Sequence, residues 1–206
     1  MPRLILIGGG EHARVVAEAA AAMGGMELVG FVDPDPCGET VRRLGLRRLG
    51  DDGVLRQHPG AWGVIGIAAL GSLAARRGIV ERLSPALEGW ATVIHPGAWV
   101  SPTASVEPGA VIMAGAVIQT GARVGAHCVV NSGAIVEHDV ELGAFSHAAP
   151  AAVLGGGVRV GEGAYIGMGA AVRDHVAIGA EALIGMGAVV VTDVAPGRRV
   201  LGVPAR

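Results

Sequence analysis

The feature that most constrains this chain is a period of six. From Ile94 to Val190 every sixth residue is a branched aliphatic, seventeen positions in all, with Ala148 the one exception. Four residues after each stands a compact side chain, as in Ala98, Ala104, Ala110, Ala116, Ala122, Cys128 and Ala134. Neither the 3.6 repeat of a helix nor the twofold alternation of an ordinary strand gives a strict six. A short fixed repeat is the signature of a solenoid. Each unit reads as a short strand plus a bend, and three units close a triangular coil. The aliphatic points into the prism, the small residue fits its inner corner, and glycines such as Gly109 and Gly115 permit the bend. Seventeen units make about 5.7 coils, roughly 27 Å tall at ~4.8 Å per layer. The expected architecture is a left-handed parallel β-helix, an exception to the right-handed crossover rule.

Composition fits that reading. With 35 glycines in 206 residues and only 3% aromatics, the chain has to pack small residues closely. The glycines do not fall at every third position, which excludes collagen. A content of 51% apolar and 17% charged residues excludes a disordered, solvating chain. A net charge of -2 without a basic cluster argues against nucleic acid as a partner. Apolar stretches are interrupted by Gly, Pro or charge, so no membrane span is expected, and the apolar part of the first residues is too short for a signal peptide. Cys37 and Cys128 lack zinc-site or disulfide-framework spacing. A reduced, cytoplasmic setting is the expectation.

Residues 1–90 have a different texture. Residues 3–7 read as a buried strand, followed by Gly8-Gly9-Gly10 and an Ala-rich helix over 12–23. A second strand over 27–32 ends at Asp33, a third covers 62–69, and 73–83 reads as helix. That order predicts a small Rossmann-like parallel α/β unit, with the β-helix occupying 91–206. Gly8-x-Gly10-x-x-Ala13, with Asp33 twenty residues past Ala13, matches the dinucleotide fingerprint in its Gly/Ala form. Such glycines admit a phosphate to the backbone and the helix amino terminus, although the same turn also serves where no ligand binds. The unit is about half a full dinucleotide fold, so a nucleotide diphosphate carried on a sugar fits better than a nicotinamide.

Within the repeats, the run from Val130 to Asp139 is unusually polar. In Glu137-His138-Asp139 two carboxylates flank one imidazole, and a carboxylate on one ring nitrogen fixes the tautomer and raises the basicity of the other. Strand alternation would let only one of the two do so, and spacing does not say which. The triplet reads equally as a catalytic base or as solvated charge. His127 and His175 are expected to be solvated. No two of the seven histidines are five apart, which argues against a zinc-binding solenoid.

The Gly-rich amino-terminal unit, the hexapeptide repeats, the run Asn131…Glu137-His138-Asp139…Phe145-Ser146-His147 and the ending Gly202-Val203-Pro204-Ala205-Arg206 together resemble the bacterial sugar acetyltransferases. These comprise the nucleotide-linked amino-sugar N-acetyltransferases and the related sialic acid O-acetyltransferases. The resemblance implies a homotrimer with acetyl-CoA between neighbouring solenoids and a nucleotide sugar as second substrate. It assigns His138 as general base, Asp139 as its partner, Glu137 and Asn131 to the sugar, and His147 to acetyl-CoA. Gly10, Glu11, His12, Asp33 and Gly71 match nucleotide-contacting positions, although Glu11 departs from the glycine of many relatives and would oppose a diphosphate. N-acetylation of a nucleotide amino sugar, O-acetylation of a sialic acid or other sugar, and a non-catalytic trimeric binding protein stay open.

Coil arithmetic adds one expectation. Met168 and Met186 are eighteen residues apart and form one column, while His138 and Gly156 form another, out of phase with it. The methionines are either filler beside the bends or the lining of the CoA groove. In the second case Met168 and Met186 line the CoA groove with His147, and the His138 column, whose Gly156 also meets the cofactor, comes from the adjacent subunit.

Overall fold

A continuous apolar run becomes a strand only where both its faces are covered, and RLILI finds that place at the centre of a parallel sheet. The computed structural model describes residues 1–35, 43–67 and 73–206. Its first unit runs β1 (Arg3–Ile7), α1 (Glu11–Met23), β2 (Glu27–Val32), β3 (Arg48–Gly50), β4 (Trp62–Ile65), α2 (Leu73–Leu83) and β5 (Gly89–Trp90). The strands are parallel in the order β3-β2-β1-β4-β5. Leu4, Ile5 and Leu6 are completely buried. Chain order reverses beside β1, so the Gly8-Gly9-Gly10 turn leaves the sheet at its switch point, where α/β sheets hold ligands. Gly8 has φ 104°, and a Cβ there would stand 2.7 Å from Ile67. The strand expected over 62–69 ends at Ile65, with 68–72 outside the described residues. β3 and β5 were not foreseen, being too short to show a periodic pattern.

From Val93 onward the chain is a left-handed parallel β-helix of two-residue strands. They stack into three sheets of six, five and seven strands, and nearly every strand pairs with the residue eighteen further on. The repeat aliphatics and the compact residues share one interior core, in which Ile112, Ile118, Leu154, Ile166 and Ile184 have no exposed surface. The last coil is shorter, because Leu183 pairs with Arg199 and Ile178 with Val194, sixteen residues apart. Two residues are missing from the corner after Val190, which hid this coil from a strict six-residue count. The tail then folds back, with Leu201 N–H donating to the Arg206 carbonyl (3.1 Å) and Ala205 N–H to that of Val189 (2.8 Å).

Each two-residue strand turns one side chain inward and one outward, and the three outer faces differ. On the five-stranded face the outward column is Ser105, Arg123, Glu141, Arg159 and Ala177. On the seven-stranded face Val93, Val111, Val129 and His147 are buried. There α1 lays Ala13, Val16 and Ala20 against Val93, Val111 and Met113. The six-stranded face presents only apolar side chains: Trp99, Val117, Ile135, Val153, Ala171 and Val189. Trp99 is 57% exposed and Val153 37%.

Candidate active site

His138 stands on the corner between the apolar face (Ile135–Val136) and the charged face (Glu141–Leu142). Its Nδ1 lies 3.0 Å from Asp139 Oδ2. Strand alternation, which would have separated these neighbours, does not apply, because Asp139 occupies the left-handed region at φ 60°. The turn brings the carboxylate back beside the ring, so Asp139 is the carboxylate that orients the imidazole. Glu137, half-buried, makes no such bond to the imidazole. With Nδ1 bonded to a carboxylate, Nε2 is the proton-accepting atom, and the side chain is 55% exposed. The imidazole rests over Gly156, where a Cβ would stand 2.5 Å from both Nε2 and Cε1.

A second group forms where the α/β unit covers the solenoid. His147 is buried, and Asn131 Nδ2 lies 3.3 Å from its Nε2. An amide N–H is a donor, so that nitrogen accepts and the ring proton sits on Nδ1. Tyr165, one coil on, meets the His147 ring edge-on at 5.0 Å, and His12 of α1 lies 6.2 Å away. Burial, with His12 and Arg76 adding to it, lowers the His147 pKa to about 3. Burial and Arg76 lower that of His12 to about 4. Both imidazoles are therefore neutral near pH 7, and His12 Nε2 is buried with no hydrogen-bond partner among the described residues.

The glycine turn is more committed than its sequence suggests. Asp33 Oδ2 accepts from Gly9 N–H at 2.6 Å and Oδ1 from Asp35 N–H at 2.8 Å. Its carboxylate ties down the turn instead of projecting freely. Gly10 caps α1, and Glu11 is exposed in the first turn. Gly71 lies outside the described residues. Met168 (49% exposed) and Met186 (74%) stack as expected, on the corner between the domain-covered and apolar faces. The expectation for His127 fails: it is 6% exposed, stacked on Phe145 at 4.9 Å with Trp90 edge-on at 5.1 Å. Both Trp90 and its neighbour Arg76 arrive from the first unit, which no local pattern around His127 announces. His175 is exposed as expected.

Residues 3–83 match the family model of the PglD N-terminal domain. The acetyltransferase domain of PglB from Neisseria gonorrhoeae FA1090, solved with acetyl coenzyme A, is 36% identical with a TM-score of 0.91 over 99% of this chain and 98% of that one. The chain belongs to the hexapeptide-repeat sugar acetyltransferases. A histidine-to-alanine variant of GDP-perosamine N-acetyltransferase from Caulobacter crescentus, solved with CoA and GDP-perosamine, is 35% identical with a TM-score of 0.90 over 100% and 96% of the two chains. WeeI from Acinetobacter baumannii AYE, at 17% identity and a TM-score of 0.55, shares the fold. No curated protein sequence matches.

In this acetyltransferase the structure gathers His12, Asn131 and His147 from separate stretches, and sets His138 with Asp139 and Gly156 on another corner. Sequence reasoning missed Arg76 and Tyr165. Tyr165 had a signal, since it stands eighteen residues after His147 and so shares its column. Arg76 had none, because nothing in a helix of the first unit says which solenoid corner it reaches.

Proposed function

We propose that this acetyltransferase transfers the acetyl group of acetyl-CoA to the amino group of a nucleotide-linked amino sugar. The observation that carries the reading is the His138–Asp139 pair with its accepting Nε2 open to solvent. The relatives support it, one being solved with acetyl coenzyme A and one with CoA and GDP-perosamine. The sugar nitrogen attacks the thioester carbonyl carbon, and its proton passes to His138 Nε2 as the N–C bond forms. The carbon–sulfur bond then breaks, and the imidazolium returns the proton to the departing CoA sulfur. Asp139 stabilises the imidazolium in between. No acyl-enzyme is required, and burial raises the Cys128 thiol to about 11, away from nucleophilic duty.

The working unit is a homotrimer whose protomers meet through the apolar face. A column of six apolar outward residues is a patch that soluble chains cover with a partner. His138 borders this face at one edge, and Met168, Met186 and Asn131 border it at the other. One prism holds the two edges apart, whereas packing around a threefold axis brings one edge against the neighbour's other. Acetyl-CoA then lies in the groove between protomers, with His147, Gly156, Met168 and Met186 on its path and Glu137 and Asn131 near the sugar. Residues 1–90 hold the nucleotide and residues 91–206 carry out acetyl transfer. Gly10, Glu11, His12 and Asp33 border the nucleotide, and Asp33 also holds the glycine turn. A cytoplasmic location suits an acetyl-CoA-dependent reaction, and no helix among the described residues is long and apolar enough to cross a membrane.

A thiol-release assay with acetyl-CoA and a panel of UDP-, GDP- and dTDP-amino sugars tests the reading. One of these should support turnover and yield an N-acetyl product. Release with sialic acid or another sugar hydroxyl, and with no amino sugar nucleotide, overturns it.

A further inference from the structure

The least expected group in the molecule is the guanidinium of Arg76. It belongs to α2 of the first unit yet is only 5% exposed. It crosses to the solenoid and donates through Nη1 to the Phe145 carbonyl at 2.9 Å and through Nη2 to the His127 carbonyl. These residues are eighteen apart, so one planar fork spans two successive coils at a single corner. Both stand at positive φ, 57° for His127 and 60° for Phe145, in a conformation that costs a non-glycine residue energy unless its surroundings hold it. The guanidinium carbon also sits 5.6 Å from the centre of the Phe145 ring, which continues the stack through His127 to Trp90. Among the described residues no carboxylate neutralises it. A buried cation held only by carbonyl dipoles and a ring face is costly to keep.

The arrangement has a direction. Two residues beyond Phe145 the chain delivers His147 into its strand, and between them Ser146 meets Cys128 at 3.2 Å. The clamped corner is thus the last bend before the imidazole that faces the cofactor path. We propose that Arg76 is a positioning residue for acetyl transfer: its fork locks the bend that sets His147 and docks the α/β unit on the solenoid. The inference rests on the acetyl-CoA reading for His147. Charge acts in the same sense as geometry. The cation faces His12 from α1 and His127, Cys128 and His147 from the solenoid, and opposes protonation of all three imidazoles, each of which burial already disfavours. His147 then keeps Nε2 as an acceptor for Asn131.

The test uses the full-length protein in its native assembly, with Arg76→Met to remove fork and charge and Arg76→Lys to keep the charge on a single arm. Acetyl-CoA affinity by calorimetry should weaken on the order of tenfold in Arg76→Met and by less in Arg76→Lys, because a displaced contact group loses alignment. Side-chain NMR titration should move the His12 and His147 midpoints upward in Arg76→Met and leave them near wild type in Arg76→Lys. If Arg76→Met does not fold, Arg76→Lys alone decides, through weakened affinity with unmoved histidines. Wild-type affinity and wild-type titrations in the folded variants overturn the proposal, as does a loss of melting temperature with neither readout changed. Failure of wild-type protein to bind acetyl-CoA would sink the acetyl-CoA reading instead, and with it the role of the clamp in acetyl transfer.

Discussion

Replacing Gly156 by alanine adds one methyl group at the most sensitive point of the site. Gly156 is buried, and its backbone is not among those at positive φ, so alanine meets no conformational penalty there. The new Cβ would stand 2.5 Å from Nε2 and Cε1 of His138. Non-bonded carbons settle near ~3.5–4.0 Å, so the ring has to move by about 1 Å or more. It cannot do so by rotation alone without stretching the 3.0 Å bond to Asp139. On the proposed mechanism the atom displaced takes the substrate proton, and a misplacement of about 1 Å costs on the order of 10²-fold in rate. The His138 side chain is more than half exposed, so it has room to swing outward and the melting temperature should hardly change. The assay is steady-state thiol release by wild type, Gly156→Ala, His138→Ala and the double variant. His138→Ala alone should lose ~10²–10⁴ in kcat. If the methyl acts through the imidazole, the double variant should be no worse than His138→Ala. Wild-type turnover in folded Gly156→Ala, or losses that multiply in the double variant, refutes the reasoning.

Three further outcomes are expected. Mixing His138→Ala with Met168→Glu subunits should restore part of the activity that each lacks alone, and mixed trimers without any recovery would count against a shared site. Val153→Arg on the apolar face should shift the protein to monomers by light scattering and abolish turnover, whereas Arg159→Glu on the charged face should leave the assembly intact. Stability should fall as pH drops from 6.5 towards 4, because the unfolded chain protonates His12, His127 and His147 while the folded chain holds them near 4, 4 and 3. Each contributes up to about 1.4 kcal/mol of lost stability per pH unit, and a melting temperature that stays flat over that range would contradict their burial.

Much of this fold was legible because a solenoid writes tertiary structure into local spacing. The residue eighteen places on is the spatial neighbour, so the columns of His138 with Gly156 and Met168 with Met186 followed from counting. The helix over 73–83 and the strand over 3–7 were equally plain. What escaped was whatever depends on contact between the two units or on a break in the period. His127 was expected in solvent because nothing nearby announces Trp90 and Arg76. The final coil escaped because two missing residues shift its phase. Asp33 was placed beside the nucleotide, but that its carboxylate also accepts from Gly9 N–H shows only in the folded turn. The choice between Glu137 and Asp139 needed one backbone angle, since a left-handed residue cancels strand alternation.

The returning tail has a consequence for the behaviour of the molecule in a crowded cell. A stack of identical parallel coils carries no internal stop signal, because its rim always offers the next layer the same row of unpaired amides and carbonyls. Such a rim is a template for indefinite lengthwise growth into a filament. Here the short corner after Val190 keeps the last strands in register, with Ile178 on Val194 and Leu183 on Arg199, so the corner alone does not close the rim. Part of it is taken by the returning tail, through Val189 with Ala205 and Leu201 with Arg206. A second copy arriving end-on would find its bonding partners on that part of the rim already engaged. The folded-back tail thus covers part of an edge that a self-templating architecture would otherwise leave open.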